Sequence, residues 1–428
     1  MLALPLSFFA EWSPVVHLPI RNRISTLSLL VSLLALSHTL LIAQKNAPAH
    51  WVGTWTASPV PIDNGKGPLG EADYTLREIA HTSIAGEAFR LVISNEMGTR
   101  PLSVGAVRVD LHADAAKSSL QRQVTFGGRS SVLIPSGTKV YSDALAIALP
   151  AQSSLTVSLF IPKQSIPVLT MHAYANQSNF MAPDDQTEAA TLSQPVESDS
   201  WLFLTAVEVQ ASAQTASVVT LGDSITDGAF STRGANLRWP DDLARRLQSN
   251  PKTSHLGVLN EGIGGNRILH SDIGTNAGPG ALSRFDRDVL SQAGVKYLII
   301  LEGINDIGIG TGPNNPHDTV TPDELTFALS QLVERAHTHG IKVYLGTIMP
   351  DEGLGLYYTE AGETERQAVN RWIRANMLSD GVIDFDKAVR DPTDPQRLLP
   401  AFDHDHIHPN DAGHQAMADA IDLSLFTR

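Results

Sequence analysis

The chain predicts an all-β domain followed by an α/β domain built on a doubly wound parallel sheet. Two patterns predict it. From about residue 50 to 212, short runs rich in branched residues recur between glycines and prolines, as in a β-sandwich or jelly roll. From about residue 217, apolar runs of strand length alternate with helical stretches, the signature of repeated β-α-β units. A small, polar stretch, Val209–Ser217, lies between the two patterns and reads as their boundary. The predicted organisation is therefore a leader at 1–49, an accessory β domain at 50–212 and an α/β domain at 213–428, within the two to three domains that 428 residues suggest.

At the N-terminus, Arg21 and Arg23 precede the apolar stretch Leu27–Ala43, and small residues follow. This is the layout of a secretory signal peptide, with cleavage after Ala43 or Ala49, and it predicts a secreted or periplasmic protein. The apolar run is also nearly long enough to span a bilayer, so a membrane association is expected only if the segment is retained.

In the β region, Ala88–Ser94 alternates and is rich in branched residues, and Val104–Leu111, Ser131–Ile134, Ala144–Leu149 and Ser154–Ile161 are further predicted strands. Trp51 and Trp55 read more readily as core or interface than as a sugar platform. In the α/β region the predicted strands are Ser217–Leu221, Leu256–Asn260, Val295–Leu301, Lys342–Ile348 and Val382–Phe385. Helices are predicted at Leu237–Gln248, Ala281–Ala293, Pro322–Thr338, Glu363–Met377 and Pro409–Ile421.

Composition excludes several classes of function. The net charge of −14 offers no basic face for phosphates, so no nucleic-acid partner is expected. The chain has no cysteine, which removes disulfides, thiol catalysis and Cys-ligated zinc together. No glycine-rich phosphate loop follows the leading strand of the α/β domain.

Chemistry concentrates at the predicted strand ends, where open α/β sheets bind their ligands. Gly222-Asp223-Ser224 follows one strand, Asn260 to Arg267 the next, and Glu302-Gly303-Ile304-Asn305-Asp306 the third. The last loop holds Asp405-His406-Ile407-His408. Ser224 can attack a carbonyl if His408 takes its proton, with Asp405 orienting the imidazole. The backbone N–H groups of Ser224 and Gly265 and the side-chain amide of Asn305 can receive the resulting oxyanion. Each residue also has an ordinary reading: Ser224 as a helix N-cap, Asn305 as a turn residue, the glycines as turn formers, Asp405 and His408 as a surface pair. Their coincidence at four strand ends in working order favours the chemical one. Asp223, Asn266 and Arg267 are candidate substrate contacts, and Asp227 a further pocket residue. His404, His406 and His408 alternate, so that on an extended segment they share one face; a metal site is nonetheless not expected, His408 being engaged as the base.

These four blocks resemble those of the GDSL/SGNH hydrolase family. The resemblance covers residues 217–428 and implies a three-layer α/β/α flavodoxin-like domain. It implies that Ser224, Gly265, Asn305 and His408 correspond to the four family-defining residues, with Asp405 completing a triad and no cofactor required. Gly265 is favoured over its neighbour Gly264 because the family glycine stands five residues after the asparagine that ends the second strand. Trp51–Ser58 and Ser94–Pro101 are similar to the β domain of a secreted subset of the family. The implied activity is serine esterase chemistry on a small-molecule or polysaccharide ester. Export and the extra β domain point to short-chain acyl (acetyl) esters on carbohydrate, with two alternatives. One is a lipase or arylesterase acting on longer or aromatic esters; the other is a non-catalytic extracellular carbohydrate-binding protein.

Overall fold

Between Trp51 and Gln210 the chain forms antiparallel ladders. The structure, a computed structural model, describes residues 50–65, 69–111, 122–312, 318–355 and 357–427. The predicted leader, with Arg21, Arg23, Leu27–Ala43 and both candidate cleavage positions, lies outside the described residues. Among the described residues, no helix is long and apolar enough to cross a membrane.

One antiparallel sheet runs in the order Trp51–Thr56, Leu204–Gln210, Ala88–Asn95, Thr138–Tyr141. A second has Tyr74–His81 and Ser154–Ile161 at its centre, paired from Tyr74 opposite Ile161 to His81 opposite Ser154. The two share one core: Leu91, Ile93, Val207 and Val209 meet Leu76, Ala80, Leu155 and Val157, all buried. Trp55 packs edge-on against Trp201 within this core, their ring centroids 5.1 Å apart. A third sheet joins Trp201–Leu202, Val168–His172 and Val60–Asp63. Ala144–Leu149, predicted as a strand, does not form one. Leu145 and Leu149 are buried by its alternation, but they make only isolated bridges to Phe89 and Gly86, so the apolar pattern is satisfied without a ladder.

The second half forms the parallel sheet, ordered Leu256–Gly262, Ala216–Gly222, Val295–Leu301, Lys342–Gly346, Gly381–Ile383, with helices flanking it. Its strands are near-continuous apolar runs, as burial on both faces requires; Val218, Val219, Leu298, Ile299, Val343 and Leu345 are all buried. Pro322–Thr338 forms the helix its sequence announces, with Thr321 and Glu324 making a capping box. The predicted helix Ala281–Ala293 is α-helical only to Phe285 and continues as a π-helical turn, Asp286–Leu290. Val382–Phe385 is shorter than predicted because Asp384 caps a new helical turn that Phe385 begins. The order places Ala216–Gly222 between two parallel neighbours, so three strand ends converge beside its carboxyl terminus.

The β region is tied to the α/β region by polar contacts. Gly53 N–H donates to the Ala293 carbonyl at 2.9 Å, and the Thr56 hydroxyl to the Asn260 carbonyl at 3.2 Å. The Ser58 hydroxyl donates to the Glu261 carboxyl.

Candidate active site

Gly222 ends the central strand, and a Cβ there would lie 2.1 Å from Thr226 Oγ1 and 2.6 Å from the Leu301 carbonyl oxygen. Only glycine lets the chain turn this sharply from strand into the helical turn Ser224–Asp227. Asp223 caps that turn, accepting the Ile225 N–H at 2.9 Å. Ser224 therefore stands at the very start of a helical turn, above the strand end. After the neighbouring strand, Gly265 turns the chain with φ +76°, a left-handed conformation that side chains disfavour. After the third strand, Gly303 leads into the helix Ile304–Thr311, which carries Asn305 in its first turn. This helix takes in the glycines Gly308 and Gly310 as well.

The structure brings Ser224, His408 and Asp405 together. Ser224 Oγ lies 2.8 Å from His408 Nε2. His408 Nδ1 lies 2.9 Å from Asp405 Oδ2, and the His408 backbone N–H donates to Asp405 Oδ1 at 2.9 Å. Partial burial pushes the Asp405 carboxyl up, but the bonds from the His408 ring and backbone outweigh it and hold it below the ordinary carboxylate value. Asp405 is thus an acceptor only, which puts the ring proton on Nδ1 and leaves Nε2 free to take the serine proton.

Of the other two histidines of the cluster, only His404 keeps a neighbour in common with His408, whose ring centroid lies 5.1 Å from that of Phe230. His406 has φ +79°, which breaks the extended run, and its Nδ1 faces Asp403 at 2.9 Å. His404 stacks on Phe230, with ring centroids 4.2 Å apart. Among the described residues no group of three or more His, Asp or Glu side chains is placed to hold a metal ion.

Ser224, Gly264, Gly265, Asn305, Asp405 and His408 line one cavity of about 610 Å³. The Asn305 amide is oriented by its partners: Nδ2 donates to the Asn266 carbonyl at 2.8 Å, and Oδ1 accepts the Tyr357 hydroxyl. One N–H of Nδ2 is left for the cavity. Asp306 accepts the Ile268 and Leu269 N–H groups at 2.7 and 3.0 Å, joining the Asn305 helix to the segment that follows Gly265.

Three residues expected to touch substrate do not line this cavity. Asp223 is buried beneath the serine as a cap. Asn266 is buried too, its amide donating to the Ala277 and Pro279 carbonyls at 2.6 and 2.8 Å. Arg267 is 4% exposed and pairs with Asp272 at 2.9 Å and Asp318 at 3.0 Å. Asp227, the further pocket residue, does line the cavity.

Beneath the site lies a cluster of buried acids. Burial pushes the Asp223 carboxyl to about 7 against the opposing Ile225 N–H bond. Burial and the Asp223 charge push Glu302 well above its ordinary value. The fully buried Arg284 sits among them and donates to the carbonyls of Gly222 at 2.9 Å and Glu261 at 2.7 Å and to Asn266 Oδ1 at 2.9 Å. It also pairs with Asp288 at 3.1 Å and Glu302 at 3.4 Å. One guanidinium thus ties together the chain segments that carry Ser224, Gly265 and Asn305.

Sequence reasoning missed Tyr357, Phe230, Leu354 and Ile407 in the cavity wall, as well as Tyr174 and Asn176 from the β region. Their positions depend on long-range packing. The acids did leave a signal: Asp223, Glu261 and Glu302 each stand at a separate strand end.

Residues 220–416 match the family model described as the GDSL-like lipase/acylhydrolase family. No curated protein matches. Among solved structures, a GDSL-like lipase from Bacteroides thetaiotaomicron is similar at 20% identity over 51% of this chain and 91% of its own, with a TM-score of 0.37. An aryl esterase from M. smegmatis is similar at 19% identity over 48% of this chain and 96% of its own, with a TM-score of 0.38. A carbohydrate acetylesterase from Sinorhizobium meliloti is similar at 18% identity over 48% of this chain and 96% of its own, with a TM-score of 0.37.

Proposed function

Since residues 220–416 make up a GDSL-like lipase/acylhydrolase domain, we propose that the chain is a serine esterase that uses Ser224, His408 and Asp405 on carboxylic esters. The observation that carries the reading is the 2.8 Å contact from Ser224 Oγ to His408 Nε2, continued at 2.9 Å from Nδ1 to Asp405. In this mechanism Ser224 Oγ bonds to the ester carbonyl carbon while His408 Nε2 takes its proton. The carbonyl electron pair moves to oxygen, where the Ser224 and Gly265 N–H groups and the free Asn305 N–H receive it. As the intermediate collapses, its C–O bond breaks and His408 protonates the departing alcohol. His408 then deprotonates a water as its oxygen bonds to the acyl carbon; the bond from that carbon to Ser224 Oγ breaks, and His408 returns the proton to Ser224 as the acid leaves.

Turnover of p-nitrophenyl acetate tests the reading, together with labelling of Ser224 by a serine-directed phosphonate. Folded protein that neither turns over nor labels would leave the non-catalytic carbohydrate-binding alternative and end the esterase reading.

We propose short acyl groups, acetyl foremost, on carbohydrate as the substrate class, acted on outside the cytoplasm after export by the N-terminal segment. Asn176 and Ser231 give the cavity wall polar groups beside the exposed ring of Tyr174, a mixture suited to a sugar. A second reading, longer or aromatic esters, is favoured by the apolar surfaces of Phe230, Leu354, Tyr357 and Ile407 in the same cavity. A chain-length series from acetate to palmitate separates them: a maximum at acetate supports the former, and a rising rate with chain length the latter.

A further inference from the structure

His172 ends a strand of the β region and is 5% exposed, far in sequence from the blocks that carry Ser224 and His408. Its Nδ1 lies 2.9 Å from the Ser58 carbonyl oxygen. Its Nε2 lies 3.0 Å from Asp227 Oδ1 and 3.1 Å from the Tyr174 carbonyl oxygen. Backbone carbonyls only accept, so both ring nitrogens must donate and the ring is an imidazolium facing the Asp227 carboxylate. Burial alone would lower the affinity of this ring for its second proton; the Asp227 charge and hydrogen bond reverse that and raise it.

Asp227 spends its other oxygen on the oxyanion turn. Its Oδ2 accepts the Gly264 N–H at 3.0 Å, one residue before Gly265. Its own backbone N–H closes the Ser224 turn by donating to the Asp223 carbonyl at 2.9 Å. The carboxylate therefore spans from the serine turn to the glycine turn, and the β region holds it through His172. The neighbouring residues reinforce the attachment: Asn176 Nδ2 donates to the Ser231 hydroxyl at 2.8 Å, and Arg238 donates to the Ala175 carbonyl at 2.6 Å.

We propose that His172 and Asp227 are positioning residues for ester hydrolysis: the His172 imidazolium fixes the Asp227 carboxylate, which sets the Gly264–Gly265 turn at oxyanion-binding distance from Ser224. The inference rests on the Ser224 esterase reading. It gives the β region a part in the chemistry in addition to its part in the cavity wall. Loosening the turn weakens an interaction made in the transition state and leaves substrate binding nearly untouched.

The test measures kcat and KM for p-nitrophenyl acetate per phosphonate-titrated serine in the full chain, with thermal melts run alongside. His172→Ala is expected to lower kcat by about 10-fold or more at a KM changed by less than about twofold. Asp227→Ala should do the same, and the double variant should be no worse than Asp227→Ala, because His172 acts through Asp227. If His172→Ala fails to fold, His172→Gln, which keeps one N–H toward Asp227, takes its place and is expected to lose less. Wild-type kcat per titrated site in the His172 variants overturns the proposal while leaving the esterase reading intact; so does additive loss in the double variant. A wild-type protein without turnover overturns both.

Discussion

The Tyr357 hydroxyl donates to Asn305 Oδ1 and so decides which end of that amide faces the cavity. The opposite end donates to the Asn266 carbonyl at 2.8 Å and keeps one N–H for an incoming oxyanion. Tyr357→Phe removes the donor that distinguishes oxygen from nitrogen at this position. The amide can then flip and point its carbonyl at the developing charge. The expected result is a fall in kcat of about 10-fold, short of the roughly 10²–10³ lost when an oxyanion donor is deleted, with KM nearly unchanged. Steady-state kinetics on p-nitrophenyl acetate check it, and Asn305→Ala should mask the effect of Tyr357→Phe when the two are combined.

The Ser224–His408–Asp405 chain predicts a non-additive pattern. Ser224→Ala and His408→Ala should each cost about 10⁴–10⁶ in kcat, and the pair together no more than either alone, since both serve one proton transfer. Asp405→Asn should cost less than His408→Ala, because it alters the orientation and protonation of a base that is still present. Circular dichroism of each variant should match the wild type, because Ser224 and His408 are only partly buried. Full activity in His408→Ala would remove the base from the mechanism.

The blocks carrying Ser224, Gly265, Asn305 and Asp405–His408 were legible because their signals are local. Strand period, turn glycines and a three-residue Asp–His spacing can be read within short windows, and a parallel sheet then gathers the strand ends by topology. Asp223 and Asn266, expected as substrate contacts, are buried and do not line the cavity, because adjacency to Ser224 and Gly265 in sequence does not tell which way a side chain points. His406 defeated the alternation argument through one positive φ, which no period reveals. Tyr357 and His172 were out of reach altogether: one meets Asn305 across 52 residues and the other Asp227 across 55.

Arg284 concentrates the stability of the site in one side chain. Its guanidinium meets the Gly222 and Glu261 carbonyls, Asn266, Asp288 and Glu302, and its side chain is fully buried. Arg284→Met leaves the buried Glu302 without its cation, leaves Asp288 with Arg287 alone, and removes a donor from the Gly222 and Glu261 carbonyls and from Asn266 Oδ1. A loss of about 3–5 kcal/mol is expected, the scale for breaking a buried pair by removing one partner. Denaturant unfolding gives the number. Arg284→Lys should recover only part of it, since an ammonium cannot reproduce the planar fork.

Glu261 predicts how stability varies with pH. Its carboxyl is buried beside Ser58; burial and the Asp288 charge push it from 4.5 to about 8. A raised carboxyl favours the protonated form in the folded state, while the unfolded chain ionises it near 4.5. Between those values the folded state binds more protons than the unfolded state, so stability from this group is greatest below pH 4.5 and falls as pH rises toward about 8. Asp223, pushed by burial from 3.8 to about 7, acts in the same direction. Asp405 acts oppositely: its lowered value adds stability above 3.8 that is lost only as pH falls through the folded value, so it does not offset the decline. Glu261→Gln carries no proton to lose and its carbonyl can still accept from Ser58. The expected outcome is a variant whose melting temperature exceeds the wild type's at pH 8 by more than it does at pH 5. Parallel curves for the two proteins across that range would show that Glu261 is ionised in the fold, compensated by Arg284.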